Sequence, residues 1–156
     1  FKAKTMEDLY SICTKLFQQT SLLLLQEYVF TEYDWRIGVL NQKPLYACQY
    51  FMSKGHWQIY KHDDKGKTVA GDFKTWSIHQ APQEVVKAAT KAANLIGEGL
   101  YGVDIKQVEK EAYVIEVNDN PNIDAGVEDG YLGEDLYRYI LEYFLSRLEE
   151  KRHHFS

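Results

Sequence analysis

"YVIEVNDNPNIDAG", Tyr113 to Gly126, alternates apolar and polar residues and then breaks into Asp119-Asn120-Pro121-Asn122. Side chains of a strand alternate between its two faces, so Tyr113, Ile115 and Val117 form one side and Val114, Glu116 and Asn118 the other. That reading aims two oxygen donors, Glu116 and Asn118, in one direction. Upstream, "YGVDIK" (Tyr101 to Lys106) puts Gly102, Asp104 and Lys106 on one face. The polar stretch "QVEKEA" between the two runs is short enough for a hairpin, and a turn centred near Lys110 sets Asp104 opposite Glu116.

Directly opposed carboxylates repel across about 4.5 to 5.5 Å, so the pair asks for a compensating cation. Carboxylate and amide oxygens suit Mg²⁺ or Mn²⁺, and so few protein ligands leave room for water or substrate phosphates in the coordination sphere. A cation in this place would meet Asp104, Glu116 and Asn118. Lys106, on the same face, offers a plainer solution, an ion pair with Glu116, which is the commoner arrangement for an isolated acidic pair. Two literal motif matches are set aside. "GEGLYG" (Gly97 to Gly102) follows a helix and opens a strand, the reverse of a dinucleotide-binding turn, and "DNPNIDAGVED" has no register with the ligand spacing of a calcium loop.

The chain has 156 residues, 45% hydrophobic and 26% charged, ordinary material for one soluble core. A net charge of −5 gives no electrostatic basis for nucleic acid or an anionic membrane as partner. Cys13 and Cys48 are too far apart in sequence for a C-x-x-C pair, which fits a reduced, cytoplasmic setting. No apolar run approaches the roughly 20 residues of a membrane span, and no secretory leader pattern opens the sequence. The first residue is Phe1, which suggests a fragment or processed piece.

Thr5 and Asp8 resemble a capping box ahead of an amphipathic helix over Met6 to Gln18, with Leu9, Ile12, Cys13, Leu16 and Phe17 on its apolar face. "LLLLQEYVF" (Leu22 to Phe30) reads as a buried strand. Asp34 to Leu40 and Leu45 to Met52 flank a hairpin turn at "NQKP", and Ser53 to Lys74 reads as a mobile loop. Pro82 opens a helix that Gly97 stops, with Val85, Ala89, Ala92 and Ile96 inward. Glu134 to Arg152 forms a final helix with Leu136, Ile140, Phe144 and Leu148 on its core face. Tyr137, Tyr139 and Tyr143 along it read as core and rim packing.

Taken in order, "LLLLQEYV", "DWRIGVL", "LYGVDI" and "IEVNDNPNID" resemble the ATP-grasp superfamily, in particular its RimK-like carboxylate-amine ligases. The combination covers most of the chain and is far more specific than any one part. The resemblance implies an α+β ATP-grasp large (C-terminal) lobe, an antiparallel sheet with flanking helices, over residues 31–156. Residues 1–30 would be the C-terminal remnant of an incomplete small lobe with its hinge strand. It implies ATP and Mg²⁺ (or Mn²⁺) as cofactors, with Asp104, Glu116 and Asn118 as the residues that hold the metal. Gln26, Glu27, Tyr28 and Val29 are the implied hinge against adenine, Asp34 and Ile115 further nucleotide-site residues, and Arg36 the catalytic contact to phosphate or acyl oxygen. The implied reaction joins a carboxylate to an amine through an acylphosphate, with an amino acid and a peptide or protein end as one form of the substrate pair. Partners would include the missing N-terminal part of the same chain and an oligomer mate.

The resemblance breaks in two places. The lysine-bearing strand and glycine-rich loop that precede the first helix in such ligases have no counterpart here, so this piece by itself is expected to bind ATP weakly and not turn over. The family's arginine and asparagine near Tyr50 and Tyr60 are also replaced, which points to a distinct substrate. Lys61, His56 and His62 are candidate contacts to it, although lone polar residues in a loop are more often simply solvated. Two rival readings stand beside the ligase: an ATP-grasp-derived scaffold or binding module, and a kinase-like phosphoryl-transfer enzyme.

Overall fold

The computed structural model describes residues 1–52, 60–62, 68–70 and 72–154. The chain divides into two compact units, Phe1–Phe30 and Thr31–Ser156.

In the first unit, helix α1 spans Met6–Leu16. Its start is the expected capping box: Asp8 N donates to Thr5 Oγ1 at 3.1 Å and the Asp8 carboxylate accepts from the Thr5 backbone. The stretch 22–30 is not the buried strand that its apolar run suggested. It has no regular secondary structure, and Leu22, Leu24, Leu25 and Phe30 are exposed. A strand exists only through a ladder partner, and this unit contains one helix and no strand.

The second unit is built on a five-stranded antiparallel sheet in the spatial order Phe73–Trp76, Lys43–Phe51, Tyr33–Leu40, Leu100–Val108, Glu111–Asn118. Its strands are β1 (Tyr33–Leu40), β2 (Lys43–Phe51), β5 (Phe73–Trp76), β6 (Leu100–Val108) and β7 (Glu111–Asn118). Two short strands, β3 (Tyr60–His62) and β4 (Thr68–Ala70), pair with each other. Much of the loop expected over Ser53 to Lys74 lies outside the described residues, and its described parts are these strands and the start of β5. Helices α2 (Gln83–Ile96) and α3 (Glu134–His154) complete the unit.

The β1–β2 turn is tighter than "NQKP" implied. Asn41 and Gln42 both have positive φ, 48° and 64°, so the loop is two residues of left-handed backbone, and Lys43 and Pro44 already belong to β2. Pro44, which has no N–H to donate, sits at the register break between Gly38 and Val39.

The sheet has two differently furnished faces. One packs under α2, where Trp35, Ile37, Val39, Ala47, Val103 and Ile105 meet Val85, Ala89 and Ala93. The buried line of α2 therefore advances by four residues at each step and leaves Ile96 61% exposed, contrary to expectation. The opposite face holds Tyr46 and Cys48 against Leu136, with Ile123, Leu132 and Ile140 around them. Phe144 and Leu148, expected in the core, are exposed: the helix has passed beyond the cluster by that point.

On this second face Gly38 lies opposite both Tyr46 and Gly102. A Cβ on Gly38 would stand 2.2 Å from the Tyr46 ring, and one on Gly102 would stand 2.8 Å from Pro121. Gly38→Ala should thus cost about 1–3 kcal/mol through overpacking, read as a lower denaturant midpoint at unchanged m-value. An unchanged midpoint would show that the ring does not lie over Gly38.

Candidate active site

The site is assembled by register. Thr75 lies opposite Cys48, Cys48 opposite Arg36, Arg36 opposite Asp104, and Asp104 opposite Glu116, so five strands contribute one residue each to a single cross-sheet row. The next row along pairs Gly102 with Asn118. Partners across a ladder share a face, so Arg36, Asp104, Glu116 and Asn118 are brought together on the face away from α2.

The Asp104–Glu116 pair was anticipated, but the route to it differs. The β6–β7 hairpin turns at Glu109, which has φ 54°, and the pairs from Val108–Glu111 to Ile105–Val114 run in step. Between Ile105 and Asp104 the register slips and Ile115 is passed over, so that Asp104 meets Glu116. Without this extra residue Asp104 would oppose Ile115, and Glu116 would turn towards α2. The slip also corrects the simple alternation: Tyr113, opposite Lys106, shares a face with Glu116, while Val114 lies opposite Ile105 on the α2 side.

Arg36 grips Asp104 with a fork, Nε to Oδ1 at 2.8 Å and Nη2 to Oδ2 at 2.9 Å. This bond, with burial working against it, raises the guanidinium pKa above its ordinary value, so Arg36 is a fixed cation. The Tyr50 ring centroid lies 5.3 Å from the guanidinium carbon. A second pair runs alongside: Lys106 Nζ donates to Asp34 Oδ1 at 2.6 Å and to Thr31 Oγ1 at 2.8 Å, and Thr31 Oγ1 donates to Asp34 Oδ1 at 2.8 Å. Lys106 thus neutralises Asp34 rather than Glu116. Both pairs join β1 to β6 with opposite polarity, which makes a compact quadrupole of Asp34, Arg36, Asp104 and Lys106.

Next to the quadrupole lies a buried polar network absent from the sequence reading. Glu128 is fully buried, accepts from the Tyr50 hydroxyl, and accepts from Asp124 N at 2.8 Å. Thr75 Oγ1 donates to the Val127 carbonyl at 2.5 Å. These bonds pin the 119–133 connection over the sheet. Tyr50 therefore anchors this connection and lies against Arg36. Burial first, then the Glu128 bond, raises the Tyr50 pKa, and burial likewise raises that of Tyr46. The Tyr46 hydroxyl is buried without a hydrogen-bond partner among the described residues. Nothing local marks Glu128 in "GVEDG", which reads as a surface turn; only the fold buries it.

Of the remaining candidates, Gln26, Glu27, Tyr28 and Val29 belong to the first unit, where Lys2 Nζ lies 3.2 Å from the Tyr28 ring centroid. Ile115 is the residue passed over in β7 and is 37% exposed. His56 lies outside the described residues, and of Lys61 and His62 only the backbone, in β3, is described. Tyr137 donates to Asp129 Oδ2 at 2.9 Å and Tyr143 to the Glu98 carbonyl, so these two tyrosines bond from the rim.

The donor set facing Glu116 is all oxygen. Asp104 spends one lone pair of each oxygen on Arg36 and a carboxylate has about four such sites, so it can still ligate a hard cation. Asn118 Oδ1 accepts from Asn120 N at 2.9 Å and keeps a second lone pair. Among the described residues no group of three or more His, Cys, Asp or Glu side chains gathers as a metal cage; Asp104 and Glu116 are two carboxylates with the Asn118 amide beside them.

Comparison with known proteins agrees with this architecture. A profile of the RimK-like ATP-grasp domain matches residues 1–144, and the chain belongs to that family. The fold is similar to D-alanine–D-alanine ligase from Bacillus anthracis, with a TM-score of 0.65 at 17% identity over 96% of this chain and 51% of the ligase. The same enzyme complexed with ATP matches with a TM-score of 0.64, at the same identity and coverage. The chain thus spans about half the length of these ligases. No curated protein sequence matches it. Among the described residues no helix is long and apolar enough to cross a membrane.

Two stability measurements test this face. Tyr50→Phe should cost about 1–3 kcal/mol because it strips a partner from the buried Glu128 carboxylate, whereas Tyr137→Phe at the rim should leave the denaturation midpoint nearly unchanged. Burial pushes the Cys48 thiol up to about 12. An unfolded thiol ionises near pH 8.5, so the unfolded chain sheds the proton first and stability falls as pH rises from roughly 8.5 towards 12. In Cys48→Ala the slope between about pH 8.5 and 10 should flatten by up to roughly 1.4 kcal/mol per pH unit, measured by denaturation at each pH.

Proposed function

We propose that this chain is the nucleotide- and metal-binding part of an ATP-dependent carboxylate-amine ligase. Residues 31–156 act as the large lobe, and residues 1–30 as the end of the small lobe with its hinge. The observation that carries this reading is the row Arg36–Asp104–Glu116 with Asn118 beside it, a fixed guanidinium next to an oxygen donor set, in a chain of the RimK-like ATP-grasp family.

Asp104, Glu116 and Asn118 would hold Mg²⁺ or Mn²⁺. Such an ion neutralises phosphate charge and orients the triphosphate for attack. Gln26 to Val29 would meet the adenine through backbone groups, with Ile115 and Asp34 bordering the nucleotide. Arg36 has further N–H donors beyond the two given to Asp104, and these are suited to the oxygens of the transferred phosphoryl group or of the acyl group. Asp104 and Tyr50 hold the guanidinium in place before substrate arrives, so its alignment requires no reorganisation during reaction.

The reaction supported by this arrangement has two displacements. A substrate carboxylate oxygen bonds to the γ-phosphorus as the bond to ADP breaks, giving an acylphosphate. An amine nitrogen then bonds to the acyl carbon, phosphate leaves with its bonding pair, and the nitrogen loses a proton. No side-chain nucleophile is needed, so positioning and charge neutralisation carry the catalysis.

Glu116→Gln is the clean test of the metal role, because Glu116 is exposed and its loss leaves the Arg36 fork intact. In calorimetric titration it should weaken Mg-ATP binding about tenfold, or 1.4 kcal/mol, without lowering the melting temperature. Equal affinity in the two proteins would remove the metal assignment. In the intact enzyme, Arg36→Met should lower kcat about a hundredfold while ATP affinity changes little. ADP and phosphate should appear together only when an amine is supplied; ADP release with the phosphoryl group retained on an acceptor would identify a kinase instead.

A further inference from the structure

Helix α3 carries two apolar stripes: one packs on the rest of the fold, and the other, apart from the Tyr137 bond to Asp129, is largely exposed. Leu136 and Ile140 face the cluster around Tyr46. Tyr137, Leu141, Phe144 and Leu148, with Leu145 beside them, form a second stripe centred roughly 100° further round the helix. Leu141, Leu145 and Leu148 are 68%, 56% and 60% exposed, and Phe144 is 39% exposed. Scattered apolar residues on a surface are ordinary, but a continuous line about 17 Å long at i, i+4, i+7 and i+11 is the seam spacing of paired helices.

The charges at its two ends say what covers it. Glu134 lies on the side of the stripe at the start of α3, and Lys151 and Arg152 flank it at the other end. The stripe itself carries no charge between these ends. We propose that the stripe is a self-association surface on which α3 of a second copy of this chain packs in antiparallel orientation. With Leu141 beside Phe144 of the second copy, Tyr137 falls beside Leu148 of that copy. Glu134 then falls beside its Lys151 and Arg152, so both ends close with opposite charges and the helix dipoles oppose favourably. A parallel copy would set Glu134 against Glu134 and Lys151 against Lys151, which disfavours it.

Sedimentation equilibrium over a concentration series tests the proposal. The mass should rise from 18.2 kDa towards twice that value. Leu141→Glu with Leu145→Glu should hold it at the monomer value, with the helical circular dichroism unchanged because both side chains are exposed. Glu134→Lys alone, and Lys151→Glu with Arg152→Glu alone, should each weaken association, and combining the three should restore it. A mass that stays at 18.2 kDa at every concentration overturns the proposal. So does association that survives Leu141→Glu with Leu145→Glu, or that is lost instead on Leu24→Lys with Leu25→Lys in the exposed stretch of the first unit. Failure of the triple charge variant to regain association would exclude the antiparallel arrangement.

Discussion

The fork between Arg36 and Asp104 is the interaction around which the candidate site is organised. It joins β1, the middle strand of the sheet, to its neighbour β6. Each charge is only partly exposed, so either one alone would be costly, and together they fix one another. The parallel pair of Lys106 and Asp34 does the same one step along. Because the two pairs have opposite polarity, their charges offset one another between the strands, and Glu116 lies beside them on β7.

A second constraint is steric. Gly38 and Gly102 sit side by side on β1 and β6, and their missing side chains leave room for the Tyr46 ring and for Pro121. The chain beyond β7 can therefore fold back over the sheet, and Glu128 reaches Tyr50 underneath it. The same tyrosine stacks against Arg36, so the connection, the anchor and the cation are mechanically linked. Tyr50 thus gives the buried carboxylate of Glu128 a neutral donor while its ring faces the Arg36 guanidinium.

Much of this was legible in order along the chain. The capping box at Thr5 and Asp8, the helix after Pro82, the hairpin partners on either side of Asn41, and the acidic pair opposite one another all follow from short-range rules of alternation, capping and turn chemistry. The reading of Leu22 to Phe30 as a buried strand failed because apolar content predicts burial only where a partner supplies a ladder and a surface. The register slip at Ile115 was also invisible: hydrophobic alternation assumes a regular pleat, and one extra residue reverses every assignment beyond it.

What the residues determine locally is therefore the set of elements and the chemistry of the donors: which strands exist, and that Asp104, Glu116 and Asn118 belong together. What only the tertiary structure decides is who neutralises whom. Lys106 could have served Glu116 by sequence alone, yet strand order places β1 against β6 and gives it to Asp34. Glu128 is a turn residue by composition and a buried anchor by position. The reason is physical: pairing across a sheet and burial under a loop depend on residues distant in the chain, and no local pattern encodes the distance that folding removes.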